Sequence, residues 1–72
     1  MKYVVSNGKF ECLGFDSASG GYPYITGGIY GAKIYSDPQL AQKDLDDKSI
    51  RHYVNLTDFK VYKLKLEELN ND

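Results

Sequence analysis

The sequence predicts an α+β domain in which a small antiparallel sheet, made of an N-terminal β-hairpin and a C-terminal strand, packs against one short helix. Three observations predict this fold class. Asn7-Gly8 lies between two apolar runs, a helix start follows at residues 36–40, and apolar and charged residues alternate near the C-terminus. A chain of 72 residues predicts one domain, which we take to span residues 1–72.

The hairpin strands are predicted at Lys2–Ser6 and Lys9–Leu13. Asn-Gly favours a two-residue type I′ turn, because both central residues of that turn need positive φ. Counting outward from such a turn places apolar residues opposite one another on one face: Tyr3, Val5, Phe10 and Cys12. This register predicts that Cys12, the single cysteine, is buried and unreactive.

The middle of the chain is rich in glycine and predicts mostly loop. Residues 16–21 are a loop by composition, and Gly27-Gly28 marks another turn. Pro23 is expected to interrupt any strand, because it has no N–H to donate. Ile25-Thr26 predicts a short extended piece, and Ala32–Tyr35 predicts either a short strand or an extended entry to the helix.

The helix is predicted from Pro38 to about Asp47. Two N-caps are compatible with the sequence: Ser36 forms a capping box with Gln39, whereas Asp37 places proline at its preferred first helical position. The predicted apolar stripe toward the sheet consists of Leu40, Ala41 and Leu45. The two acidic residues at the end oppose the helix dipole, so the last turn is expected to fray.

The C-terminal part predicts an irregular connection followed by a strand. Ser49–Leu56 fits neither the helical nor the strand period, and we expect an irregular connection that ends in a short extended piece. Phe59–Leu66 alternates apolar residues with lysines and predicts the last strand. Glu67–Asp72 is expected to be a polar, frayed tail.

Composition narrows the partners and the location. Nine basic residues nearly balance ten acidic ones, whereas nucleic-acid binders usually carry a basic excess, so nucleic acid is not the expected partner. One cysteine, no signal peptide and no apolar run of about 20 residues predict a cytoplasmic protein without membrane contact. A chain this short buries only about 60% of its unfolded surface, which predicts either tight packing or a homodimer.

No motif for catalysis or for a cofactor is evident, so we expect a protein that is not an enzyme. The acidic run near residue 46 lacks the alternating ligands and the glycine of a calcium loop. Gly27–Gly31 is not followed by the Lys-Ser/Thr of a phosphate-binding loop. Cys12 and His52 would need an exposed thiolate to act together, which the predicted burial of the thiol opposes.

The pattern formed by Lys2-Tyr3-Val4-Val5, Asn7-Gly8-Lys9-Phe10, Ala32-Lys33-Ile34-Tyr35 and Phe59-Lys60-Val61-Tyr62-Lys63-Leu64 spans most of the chain. It resembles small proteins encoded by phages and prophages of Gram-positive bacteria. The resemblance implies a phage-like source and a protein that docks on a host or phage protein and inhibits it, as anti-CRISPR proteins do. It transfers no catalytic or binding residues, and the chain departs from the pattern in its long loop at residues 16–24 and in its Gly27-Gly28 insert.

Two surfaces are candidate binding sites. Tyrosine supplies seven of the 72 residues, and three tyrosines fall in an irregular segment that is either a contact surface for a protein partner or a cover for the core. These are Tyr22, Tyr24 and Tyr30, with Asp44, Asp46 and Asp47 as an electrostatic edge. The alternative function is weak single-stranded nucleic-acid binding through Lys60, Tyr62, Lys63 and Lys65. Lysines on an outer strand also prevent edge-to-edge aggregation, which explains them without a ligand.

Overall fold

The α+β architecture is confirmed in a computed structural model, which describes residues 1–64. Four antiparallel strands form one sheet in the order β3-β2-β1-β4, and two short helices pack on it. The elements are β1 (Lys2–Ser6), β2 (Glu11–Asp16), a 3₁₀ turn (Ser17–Ser19), β3 (Tyr22–Gly27), α1 (Pro38–Leu45), α2 (Lys48–Tyr53) and β4 (Lys60–Leu64). The predicted end of the last strand, at Lys65 and Leu66, and the predicted frayed tail, Glu67–Asp72, lie outside the described residues.

The predicted register of the hairpin is wrong, because its turn is longer than two residues. Ser6 pairs with Cys12 rather than with Lys9. The side-chain carbonyl of Asn7 accepts the N–H groups of Lys9 and Glu11, at 2.8 and 3.3 Å. A backbone N–H of Asn7 also donates to the carbonyl of Glu11 at 3.2 Å. The asparagine side chain therefore organises a wider turn than the Asn-Gly dipeptide predicts.

This shift of three residues exchanges the two faces of β2, because side chains alternate along a strand. Val5 and Leu13 face the helices, and Cys12 lies on the other face. Cys12 is nevertheless only 5% exposed, so the prediction of a buried thiol is confirmed. Phe10, predicted to lie in the core, belongs to the turn and is 87% exposed.

The strand β3 continues through Pro23, which was expected to interrupt it. Pro23 pairs with Phe15 of β2. The carbonyl of Leu13 accepts an N–H from Lys33 on the side away from β3. The backbone N–H and C=O groups of alternate residues in a strand point to the same side. Those of Phe15 therefore also point away from β3, and Phe15 makes no backbone hydrogen bond to Pro23. The proline nitrogen therefore faces the outer edge of the sheet, where no donor is needed.

A short segment, Ala32–Tyr35, lies between β1 and β2, and we call it the inserted segment. The two strands pair directly only at Ser6 and Cys12, next to the turn. Farther along, Tyr3 of β1 and Tyr35 exchange two N–H···O bonds of 2.8 Å. The segment before the helix is therefore an extended entry with two isolated β-bridges, at Ala32 and Tyr35, and not a strand. It lies inside the hairpin, where no sequence pattern indicated it.

Gly14 allows the inserted segment to reach β2. It pairs with Ala32, and a Cβ on Gly14 would lie 2.3 Å from the carbonyl oxygen of Gly31. Any other residue at this position would therefore collide with backbone. Gly14 and Cys12 share a face of β2, so Gly31 lies on the face away from the helices. The chain therefore enters the sheet from the face away from the helices. It leaves the sheet on the other face, toward α1.

The core lies between the sheet and the helices, and its buried members are Val5, Leu13, Tyr35, Ala41, Leu45, Ile50 and Leu56. Of the two predicted N-caps of α1, Asp37 is the one observed. Its carboxylate accepts the N–H of Gln39 at 2.8 Å, and Pro38 begins the helix. Leu40, predicted to be buried, is 51% exposed, because the face of α1 toward the sheet is defined by Ala41 and Leu45.

The predicted irregular connection at residues 49–56 contains the helix α2. Asp47 accepts the first N–H groups of α2 at 2.8 and 3.4 Å, so it caps this helix instead of ending the previous one. Ile50 is buried, and the Nε–H of Arg51 donates to the carbonyl of Leu45 at 2.6 Å, which ties the two helices together. A helix of six residues is too short to display the helical period in the sequence.

Tyr35 fastens the inserted segment to α1. Its ring is buried in the core, and its hydroxyl donates a 2.6 Å hydrogen bond to Oδ2 of Asp44. Burial raises the pKa of Tyr35 far above its ordinary value, and the hydrogen bond to Asp44 and the charge of that carboxylate raise it further. One residue therefore joins β1 through its backbone and α1 through its side chain.

Replacing Gly14 is expected to destabilise the fold. We expect Gly14→Ala to lower the free energy of unfolding by about 1–3 kcal/mol or more, because the new methyl group meets a backbone oxygen that cannot move aside. Gly27→Ala is the matched control, since Gly27 ends a strand of the same sheet and no atom lies within 4 Å of its Cβ position. Urea denaturation measures both variants. Equal losses of stability would contradict the close contact between Gly14 and Gly31.

Raising the pH above about 10 is expected to destabilise the protein through Tyr35. The phenol ionises near its ordinary pKa of 10.0 in the unfolded chain but keeps its proton in the fold. The folded state then binds one more proton, so the free energy of unfolding falls by about 1.4 kcal/mol per pH unit above pH 10. Below about pH 10 the Tyr35 phenol is protonated in both the folded and the unfolded protein, so its contribution to the free energy of unfolding is fully present and does not change with pH.

Urea denaturation of the natural protein and of Tyr35→Phe, from about pH 8 to about pH 11, tests this expectation. The variant is expected to be less stable at neutral pH, because Asp44 loses its partner, and to lose stability less steeply above pH 10. Parallel pH profiles of the two proteins would show that the buried phenol does not resist ionisation.

Candidate functional site

The face of the sheet opposite the helices is called the open face here, because both helices place their buried residues on the other side. The strand registers assign Tyr22 and Tyr24 of β3 and Tyr62 of β4 to this face. Val4 and Cys12 also lie on it and are buried. The open face therefore combines an apolar floor with exposed aromatic rings.

The turn after β3 folds back onto the open face. Gly31 has a φ of 83°, which glycine adopts without strain, and it rests on β2. The hydroxyl of Thr26 donates to the carbonyl of Tyr30 at 2.7 Å. The N–H of Ala32 donates to the carbonyl of Ile29 at 3.1 Å. These contacts hold the turn in a defined conformation although it belongs to no strand or helix.

The three predicted contact tyrosines are placed in three different surroundings. Tyr30 lies at the tip of this turn and is 91% exposed. The hydroxyl of Tyr24 lies 2.7 Å from the Cβ position of Gly31, so its ring packs against the base of the turn. Tyr22 begins β3, and its ring meets that of Tyr53 edge-on, with the ring centres 5.3 Å apart. Tyr24 therefore supports the turn that displays Tyr30, and Tyr22 belongs to a separate contact with α2.

Phe10 is an exposed ring that the sequence analysis assigned to the core. It has a φ of 70°, a conformation that costs a bulky residue roughly 1–2 kcal/mol. Because Glu11 pairs with Gly27, the hairpin turn and the turn after β3 lie at the same end of the sheet. We call the exposed side chains of these two turns, Phe10, Ile29 and Tyr30, the tip surface. A two-residue hairpin turn would place Phe10 in a strand with its side chain toward the core, so the exposure of Phe10 was not predicted from the sequence.

The predicted acidic edge is not assembled with the tyrosines. Asp44, Asp46 and Asp47 lie where α1 meets α2, on the helical side of the sheet. Asp44 accepts the hydroxyl proton of Tyr35, and Asp47 caps α2. Asp46 accepts from the side-chain amide of Gln42 at 3.1 and 3.2 Å. All three carboxylates thus have local roles in holding the helices.

The alternative nucleic-acid surface is divided between the two faces. Lys60 and Tyr62 lie on the open face, Lys63 lies on the helical face, and Lys65 lies outside the described residues. The hairpin turn places Lys9 beside this strand, although no sequence pattern links the two. A groove of about 440 Å³ between the turn and β4 is lined by Asn7, Lys9, Thr57, Asp58, Lys60 and Tyr62.

No three side chains with metal-binding groups come together within residues 1–64. The imidazole of His52 packs edge-on against Tyr53, with the ring centres 5.7 Å apart, whereas Cys12 is buried in β2. Neither described helix has the length and apolar character needed to cross a membrane.

Two surfaces therefore stand out, the tip surface and the groove beside β4. The first presents apolar rings on structured turns, and the second combines a ring with lysines. Comparison of the chain with protein-family models, with curated proteins and with solved structures finds no match.

Proposed function

We propose that this chain is a non-enzymatic protein-binding module that docks through the tip surface. The observation that carries the proposal is the side chain of Tyr30, which is 91% exposed on a turn held by hydrogen bonds. Tyrosine is enriched among the residues that dominate binding energy, because its large rigid ring buries much area at a small cost in conformational entropy.

The neighbours of Tyr30 make this surface apolar. Ile29 precedes it in the same turn and is exposed, and Phe10 projects from the adjacent hairpin turn. Single exposed apolar residues are common on proteins, whereas several at one end of a sheet are typical of an interaction surface. A partner that covers the tip surface would remove all three side chains from water.

The backbone beneath the tip surface supports binding in a second way. The turn that carries Tyr30 is already ordered by Thr26 and by the contact of Gly31 with β2, so little conformational entropy would be lost on docking. Phe10 has a strained backbone and its ring does not contribute to the core. Strain at a residue without a packing role is typical of functional sites.

The resemblance to phage-encoded proteins extends the proposal to a class of partner. It implies a host or phage protein as the target and inhibition as the result, with a defence nuclease as one form of target. A chain of this size inhibits by covering a surface that the target needs. The apolar tip surface is suited to that mode of action, since it requires no chemistry from the inhibitor.

Substitution of Tyr30 tests the proposal. The natural protein, Tyr30→Ala and Leu40→Ala are immobilised in equal amounts and exposed to host lysate, and the retained proteins are quantified by mass spectrometry. We expect Tyr30→Ala to lower the retention of the partner at least about tenfold, as for a side chain that contributes about 2 kcal/mol to binding. Leu40→Ala is the matched control, because Leu40 is exposed on the helical side.

A second variant separates binding from stability. Phe10→Asn removes the ring but suits a positive φ better than phenylalanine does, so we expect a thermal midpoint that is unchanged or higher together with weaker retention. Every variant is first shown to have the circular dichroism spectrum of the natural protein. Partners retained equally by the natural protein, Tyr30→Ala and Phe10→Asn would refute docking through the tip surface.

A further inference from the structure

The groove between the hairpin turn and β4 is a second site, with residues separate from the tip surface. We propose that it binds single-stranded nucleic acid, with the ring of Tyr62 stacking on a base and with Lys9 and Lys60 contacting neighbouring phosphates. The groove measures about 440 Å³, and both lysines line it together with Tyr62. This proposal does not depend on the protein-binding function.

The ring of Tyr62 has the position that base stacking requires. It lies on the open face opposite Val4, and it is 41% exposed. Its hydroxyl lies 2.9 Å from the Cβ position of Gly8, so the side chain leans from β4 across β1 toward the hairpin turn. Val4 beneath it is 3% exposed. The exposed part of the ring is accessible to a base, and stacking on an aromatic ring tolerates any base.

Lysines surround this ring on the same face. Lys60 precedes Tyr62 by two residues, which places the two roughly 7 Å apart along the strand. Lys2 lies on the same face of β1 because it pairs with Leu64, and Lys9 lines the groove from the hairpin turn. Phosphates on either side of a stacked base would therefore meet an ammonium group.

The net charge of −1 belongs to the whole chain, and most of the acidic side chains among residues 1–64 do not line the groove. Glu11 lies beside it, where its carboxylate accepts from the side-chain amide of Asn7 at 2.7 Å. Asp44, Asp46 and Asp47 lie on the helical side of the sheet. At physiological salt, interactions between exposed charges are largely screened beyond about 8 Å. Among the described residues, Asp58 is the carboxylate that lines the groove, where it is outnumbered by Lys9 and Lys60. We therefore expect modest, salt-dependent affinity.

Fluorescence anisotropy with a labelled twelve-residue oligothymidylate, measured over a series of salt concentrations, tests the site. Lys9→Gln/Lys60→Gln is expected to weaken binding and to reduce the slope of log K against log[salt] by about 1.4, since each phosphate contact on a single strand contributes about 0.7. Lys48→Gln/Lys63→Gln is the matched control: it makes the same change in net charge, with Lys63 on the opposite face of the same strand.

Two further variants separate stacking from simple attraction between charges. Tyr62→Ile keeps apolar cover over Val4 but removes the aromatic face, and we expect at least about fivefold weaker binding. Asp58→Asn removes the opposing charge and is expected to tighten binding roughly twofold to fivefold at low salt. Circular dichroism of each variant establishes that the fold is kept, so that a change in affinity reports on the groove.

Several outcomes would overturn the proposal. One is the absence of binding at low salt, and another is an equal loss of affinity in both double-lysine variants. Unchanged affinity in Tyr62→Ile would exclude the stacking role. Displacement of the oligonucleotide by polyglutamate at equal charge concentration would show that the groove recognises acidic polymers in general, including acidic proteins. Support requires loss in Lys9→Gln/Lys60→Gln and in Tyr62→Ile, with the control pair unchanged.

Discussion

The close backbone contact between Gly14 and Gly31 is the constraint on which the rest of this small fold depends. Without a side chain at residue 14, the chain that returns from β3 can lie directly on β2 and then enter the sheet. The strands of the hairpin separate to receive it, and its backbone groups replace those that β1 and β2 would otherwise offer each other. Buried backbone polar groups need such partners, so the insertion satisfies both strands.

The position of α1 follows from the same contact. The inserted segment ends at Tyr35, whose backbone bonds to β1 and whose hydroxyl bonds to Asp44 of α1. Because α1 begins only a few residues after the inserted segment ends, these two bonds fix the position of the helix over the sheet. Its end is coupled in turn to α2 through the bond from Arg51 to the carbonyl of Leu45. A chain with no disulfide thus links its layers by a few hydrogen bonds directed at buried or half-buried groups.

The distribution of aromatic residues follows from this arrangement. With the buried residues of both helices on one face, the rings of the opposite face meet two described elements: Tyr24 packs against the turn that rests on Gly14, and Tyr22 reaches Tyr53 of α2. Tyr24 is used to support that turn, and Tyr62 covers Val4 while keeping one side open. Tyr30 and Phe10 support nothing and are almost fully exposed. The fold therefore separates rings that complete its packing from rings that are available to a partner.

Features encoded within a few residues could be predicted from the sequence. They include the α+β class, the last strand, the extended entry to α1, and Asp37 with its proline as one of two predicted caps, all of which depend on neighbours along the chain. The burial of Cys12 was also predicted, although on an incorrect face, because both faces of β2 are covered at that point. Of the candidate site, the exposure of Tyr30 agrees with its place in a glycine-rich turn.

The remaining features depend on side-chain bonds and on contacts between strands that the local patterns do not reveal. The register of the hairpin is set by the side-chain bonds of Asn7. Strand β3 can continue through Pro23 because it lies at the edge of the sheet. Tyr22 and Tyr30 are separated because Tyr22 begins β3 and Tyr30 lies in the turn after it. The grouping of Lys9 with Lys60 and Tyr62 likewise required the pairing of β1 with β4. Pairing between strands brings together residues as distant in the chain as Lys2 and Leu64, and local patterns carry no information about such contacts.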